Sequence, residues 1–138
     1  MKQTKRKNGF TLIELIMVLV LVGVLAVFVA PRLNTADFEA RGFHDETLAL
    51  LRYAQKTAIA QRRTVCVALN GGGVALTIDT DTPPDNACNA PLSLANVPRG
   101  GSGLTASVAA FEFTPLGSTP ARVTIAVAGS TGITVEAG

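Results

Sequence analysis

A chain of 138 residues, 48% apolar and 16% charged, has room for one domain and an appendage. Aromatic residues make up 5% and tryptophan is absent, which argues against an aromatic platform for stacking sugars or bases. The net charge of +2 comes from the amino terminus: Lys2, Lys5, Arg6 and Lys7 precede Phe10, and the eight basic residues after it face ten acidic ones. That remainder of −2 gives no case for nucleic-acid binding from charge.

From Phe10 to Ala30 the chain runs 21 residues with only Thr11 and Glu14 polar. At about 1.5 Å per residue this predicts a helix of about 31 Å, enough to cross a hydrocarbon core. The positive charges ahead of it hold the amino terminus on the cytoplasmic side and send the rest to the far face. A cleaved secretory signal is the competing assignment. Its cut would fall near Gly23 to Ala26, but apolar sequence continues to Ala30, so an anchor fits better. Gly23 interrupts the run and Pro31 ends it. Proline removes a helical hydrogen bond and crowds the preceding turn, so a kink is predicted there. Glu14 is the costly residue. A carboxylate at the centre of a membrane helix costs about 2.5–3.5 kcal/mol, less near an interface. An interfacial acid simply tolerated there is one explanation, and otherwise its cost calls for a functional one.

Beyond Pro31 the pattern becomes amphipathic. Phe38, Phe43, Thr47, Leu48, Leu51, Ala54, Ala58 and Ile59 recur every three to five residues with charges between them, predicting a helix over about 35–62 with one buried stripe. Gly42 weakens it by about 1 kcal/mol relative to alanine. From Thr64 the period shifts to two. Segments 64–69 and 74–80 flank "NGGG" and predict a β-hairpin. Residues 81–91 are turn chemistry. Further strands are expected at Leu92–Val97, Thr105–Thr114, Arg122–Ala128 and Ile133–Glu136. The fold class is α+β: a long N-terminal helix, its transmembrane half kinked at proline and its second half amphipathic, packed on an antiparallel β-rich domain.

The chemistry-bearing residues do not assemble into a catalytic set. His44 is the only histidine, without a nearby nucleophile for a triad, and reads as a surface or boundary residue of the helix. The glycines at 71–73 lack the Lys-Ser/Thr of a phosphate loop. Asp79 and Asp81 with Asp85 make at most a weak calcium loop, since EF-hand spacing and a closing glutamate are lacking. Lys56 with "QRR" (61–63) makes a small basic patch that suits the negative end of a helix dipole. Cys66 and Cys88 with one histidine cannot make an ordinary zinc site. Outside the cytosol they read as a disulfide; two unrelated buried thiols are the alternative. The expectation is a non-enzymatic protein without cofactor or metal.

The stretch "KRKNGFTLIELIMVLVLVGVLAVFVAP" resembles the class III signal and N-terminal helix of type IV pilins and type II secretion pseudopilins. The resemblance implies cleavage of a leader, residues 1–9, between Gly9 and Phe10 by a prepilin peptidase, which also methylates the new amino terminus on Phe10. Glu14 becomes the family's characteristic acid, pairing with a neighbour's amine during subunit assembly, and Gly23 and Pro31 fall at the family's helix-weakening positions. Residues 10–31 would form the transmembrane and filament-core helix, and 32–138 a periplasmic domain with its sheet over 64–136. More loosely, "FEARGFHDETLALLRYAQKTAIAQRRTVCVAL" and "FEFTPLGSTPARVTIAVAGSTGITVEAG" are similar to GspH/FimT-type minor pilins and pseudopilins. The implied protein is a structural minor subunit, held in the bacterial inner membrane and then built into a pilus or pseudopilus at its initiating or tip complex. Its implied partners are the peptidase, other subunits through the N-terminal helix, the inner-membrane assembly platform and membrane lipid. Alternatives are a major pilin, or a tip subunit that binds DNA or a surface; the ending "GITVEAG" lacks the basic tail of DNA-binding FimT-like proteins.

Overall fold

A computed structural model of the chain describes residues 9–29 and 35–138. Two compact units divide between Thr35 and Ala36. In the first, helix α1 spans Leu12–Val29 and runs without interruption through Gly23. Its 18 residues measure about 27 Å, a few ångströms less than the roughly 30 Å hydrocarbon core. Among the described residues no helix is long and apolar enough to cross a membrane. The basic leader and the kink expected at Pro31 lie outside the described residues.

Helix α2 spans Thr35–Gln61 and buries Phe43, Thr47, Leu51, Ala54, Thr57 and Ala58. The steps from Phe43 through Thr47, Leu51 and Ala54 to Ala58 keep one face toward the core. Two residues expected on that stripe are exposed instead, Phe38 and Ile59. At 100° per residue Phe38 stands about 140° around the helix from Phe43, and Ile59 about 100° from Ala58. The end of α2 is a Schellman motif: Arg62 takes a left-handed φ of 52°, its N–H donates to the Ile59 carbonyl, and the Arg63 N–H donates to that of Ala58. These bonds satisfy carbonyls that the helix leaves open.

Seven strands follow, all antiparallel where paired. β1 (Val65–Asn70), β2 (Gly73–Ile78), β3 (Ala90–Pro91) and β5 (Ala110–Phe113) form one sheet in the order β3-β2-β1-β5. β4 (Leu104–Ala106), β6 (Val123–Val127) and β7 (Ile133–Val135) form the other, in the order β4-β6-β7. The predicted hairpin is β1–β2, with Asn70 opposite Gly73 and the Asn70 Oδ1 accepting the Gly72 N–H at 2.9 Å. β6 alternates buried Val123, Ile125 and Val127 with exposed neighbours, as a half-buried strand does.

Two expected strands differ. Leu92–Val97 is not a strand: pairing stops at Pro91, apart from the Leu92 N–H donating to the Leu76 carbonyl. Pro91 and Pro98 lack the N–H a ladder needs, and the Ser93 carbonyl is taken by the Tyr53 hydroxyl at 2.8 Å. Thr105–Thr114 is not one strand but parts of two, β4 and β5, in different sheets, with a bend at 107–109 where the chain switches sheets. The core joins the α2 stripe to Val65, Val67, Ile78 and Phe113 of one sheet and Leu104, Ile125 and Ile133 of the other. The Phe111 and Phe113 rings meet edge to face at 5.4 Å.

Candidate functional site

Gly9 and Phe10 lie outside regular structure, directly ahead of α1. Thr11 opens the helix. Its carbonyl accepts the Glu14 and Leu15 N–H groups at 3.1 and 3.2 Å, and its Oγ1 lies 3.4 Å from the same Glu14 N–H. Thr11 and Glu14 have the spacing of a capping box. Glu14 in the first turn also faces the positive end of the helix dipole. This capping role of Thr11 was readable from "TLIE" but is obscured by the apolar run around it.

The large apolar side chains from Phe10 to Phe28 are all exposed, from 46% at Ile16 to 78% at Phe10. A helix apolar on every side is stable in lipid or inside an assembly, not in water. Glu14 is its one carboxylate.

The second unit holds its loops with buried or half-buried polar groups. Glu46 accepts the Arg99 N–H at 2.6 Å and the Gly100 N–H at 3.0 Å. Beside it Gly101 lies on the Phe43 ring, where a Cβ would come within 2.4 Å. Asp79 is buried; its Oδ1 accepts the Asp81 N–H at 2.8 Å and its Oδ2 the Asn86 N–H at 2.9 Å. The Asp81 N–H, with Asn86 and the nearby Arg63, holds the Asp79 carboxyl below its usual range against the opposing effect of burial. Arg63 Nη1 stands 3.9 Å from Asp79 Oδ1 and donates to the Asp81 carbonyl at 2.6 Å.

Cys66 and Cys88 form a disulfide, tying the loop after β2 to β1. Asp79, Asp81 and Asp85 have oxygens within 4.8 Å of one another. With both Asp79 oxygens engaged by backbone and a guanidinium alongside, the cluster is a loop anchor. His44 is partly buried with its Nδ1 3.1 Å from Asp45 Oδ1. Of the predicted basic patch, Arg63 is drawn into the Asp79 network, while Lys56 and Arg62 are exposed. Glu46 carried no signal in the sequence, and Asp79 only that of an acidic cluster, because their partners are backbone groups of distant or folded-back segments.

Two cavities stand out. A groove of about 1240 Å³ lies between the first turns of α2 and the loop at 96–103, with Phe38, Glu39, Phe43, Val97, Arg99 and Gly101 among its walls. A smaller apolar pocket of about 420 Å³ lies beside β5, with Val108, Phe111, Pro120 and Val123. Among the described residues neither brings together a nucleophile, a base and an orienting group.

Comparison with known proteins agrees with this arrangement. Residues 4–30 match the prokaryotic N-terminal methylation motif, and residues 45–137 match the type II transport protein GspH family. The type IV narrow pilus major component PilA5 of Thermus thermophilus is 34% identical over 105 residues, covering 70% of this chain and 90% of that protein. The crystal structure of the type IV minor pilin FimU of Pseudomonas aeruginosa shares the fold with a TM-score of 0.50 and 21% identity, over 74% of this chain and 84% of that one. With the methylation motif at its head and the GspH domain behind it, the chain belongs to the GspH family of type IV pilin-like proteins.

Proposed function

We propose that the chain is a minor pilin or pseudopilin, held in the inner membrane by its N-terminal helix and then packed by the same helix into a filament at its initiating or tip complex. The observation that carries this is α1: an apolar surface exposed on all described sides, beginning at a methylation motif and bearing one acid in its first turn. Cleavage between Gly9 and Phe10 would leave a cationic, methylated amine on Phe10. A lone charge buried among apolar helices is costly, whereas a paired one is tolerated. Glu14 of one subunit is the partner for that amine on another, and it sets the register in which helices pack. The leader's positive charges orient the helix with its amino terminus cytoplasmic, so that the disulfide-bonded unit lies in the oxidising periplasm.

Glu14→Ala tests the role. Membrane retention should stay near wild type, while incorporation into sheared filaments should fall about tenfold or more, in line with loss of a buried pair's partner. Normal incorporation of the variant beside wild-type subunits would remove Glu14 from the mechanism. A second reading, a major subunit, is favoured by the likeness to PilA5; abundance of the chain in sheared filaments separates the two. A DNA-binding tip role gains nothing from the end of the chain, where Arg122, just ahead of β6, is paired at 3.3 Å with Glu136, just after β7.

A further inference from the structure

The turn between β1 and β2 sets an asparagine amide beside an unobstructed backbone nitrogen. Asn70, the last residue of β1, is followed by Gly71, Gly72 and Gly73. Asn86 and Asn89 precede alanine and Asn96 precedes valine; Asn8 precedes a glycine but lies outside the described residues. A side chain on the following residue hinders attack by its nitrogen on an asparagine carbonyl, and glycine has none and turns freely. Asn70, Gly71 and Gly72 are exposed, and a Cβ at Gly71 would meet nothing within 4 Å. The Asn70 Oδ1 accepts the Gly72 N–H at 2.9 Å. This Asx turn folds the side-chain carbonyl back over the turn and polarises it toward attack. Among the described residues neither the Asn70 amide nitrogen nor the Gly71 N–H donates a hydrogen bond.

We propose that Asn70 is a site of spontaneous deamidation through a cyclic imide. The Gly71 nitrogen gives its proton to hydroxide and bonds to the Asn70 Cγ. The Cγ–Nδ2 bond breaks, and the side-chain nitrogen takes a proton from water and leaves as ammonia. Water then opens the ring at either carbonyl. Attack at Cγ restores the original main chain with aspartate at 70. Attack at the main-chain carbonyl leaves isoaspartate, with the chain routed through the side-chain carbons and lengthened by a methylene. Water is the only co-reactant and nothing is oxidised or reduced.

The same turn holds a neighbouring loop. The Gly72 carbonyl accepts the Gly101 N–H at 3.0 Å and the Gly71 carbonyl accepts the Leu104 N–H at 3.4 Å. Packing there is close: a Cβ on Gly100 would come within 2.6 Å of the Gly72 oxygen. A turn lengthened at residue 70 cannot keep the pairing of Asn70 with Gly73 together with both of these bonds, because packed backbone has no slack. Isoaspartate therefore releases the loop at 99–103 from the hairpin, whereas aspartate adds a charge and keeps the main chain.

The test ages the full-length chain in mildly alkaline buffer. Mass spectrometry reads replacement of the amide by a carboxyl, and a protein isoaspartate methyltransferase reports the lengthened product. Asn70 should convert before Asn86, Asn89 and Asn96, and faster as hydroxide rises. Gly71→Ala, whose methyl group enters open space, should keep the Tm and slow conversion about tenfold. Trypsin cleavage after Arg99 should be about tenfold faster in the isoaspartate fraction than in fresh protein, since cleavage tracks the population of the open loop. Asn70→Asp should be cut at the rate of fresh protein. An Asn70 amide that survives in the folded chain while converting in urea would overturn the site, as would conversion that Gly71→Ala does not slow. An isoaspartate fraction cut no faster than fresh protein, or Asn70→Asp cut equally fast, would overturn release by lengthening.

Discussion

Asp79 is an acid without water around it, kept ionised by the Asp81 and Asn86 N–H groups and by Arg63. Its carboxyl is held below the usual range, so the ionised form contributes stability above the unfolded value of about 3.9. That contribution disappears as pH falls through the lower folded-state value. Asp79→Asn should therefore lower Tm at pH 7, and the difference from wild type should shrink as melting is repeated from pH 5 down to pH 3. Arg62 poses the opposite case. It occupies a left-handed position, φ 52°, that glycine takes without steric cost. Arg62→Gly should raise stability by about 0.5–1 kcal/mol in urea unfolding, because the strain of a Cβ there exceeds the chain entropy glycine adds.

Among the elements, the loop at 97–103 shows how a helix can shape a segment without secondary structure of its own. Glu46 accepts two successive backbone N–H groups, and the Phe43 ring forms the floor under Gly101. Gly101→Ala should cost about 1–3 kcal/mol, since its methyl group would overlap the ring and force repacking. Glu46→Ala leaves two N–H groups without their charged acceptor and should cost about 1–2 kcal/mol. Trypsin cleavage after Arg99 provides the second readout: it should accelerate in both variants. The strands on either side of this loop show where pattern reading stops. The hairpin was legible because Asn70 and the glycines specify a local turn. Leu92–Val97 has the right residue types, yet the chain leaves the sheet after Pro91, its Ser93 carbonyl claimed by Tyr53. The alternation from Thr105 to Thr114 conceals the bend at 107–109, because a bend that exchanges one sheet for another leaves the residue types on either side unchanged.

For the molecule as a whole, the Cys66–Cys88 bridge closes a loop with a sequence separation of 22, worth about 3 kcal/mol in the chain-entropy model. Replacing both cysteines by serine should lower the unfolding free energy by about that amount in the oxidised protein, and a reducing agent should bring wild type to the level of the variant. The apolar helix with its acid, the amphipathic helix and the hairpin were all determined by sequence alone. Each depends on interactions within a few residues: an apolar run, helical periodicity, a glycine turn. The same local information placed Gly9, Phe10 and Glu14 in a family motif before any fold was known. Only the tertiary structure decided which acids anchor loops, how seven strands divide between two sheets, and that Phe38 and Ile59 are left exposed at opposite ends of α2. Those outcomes depend on contacts between residues far apart in the chain, where the partner is chosen by the packed fold and not by the neighbouring sequence.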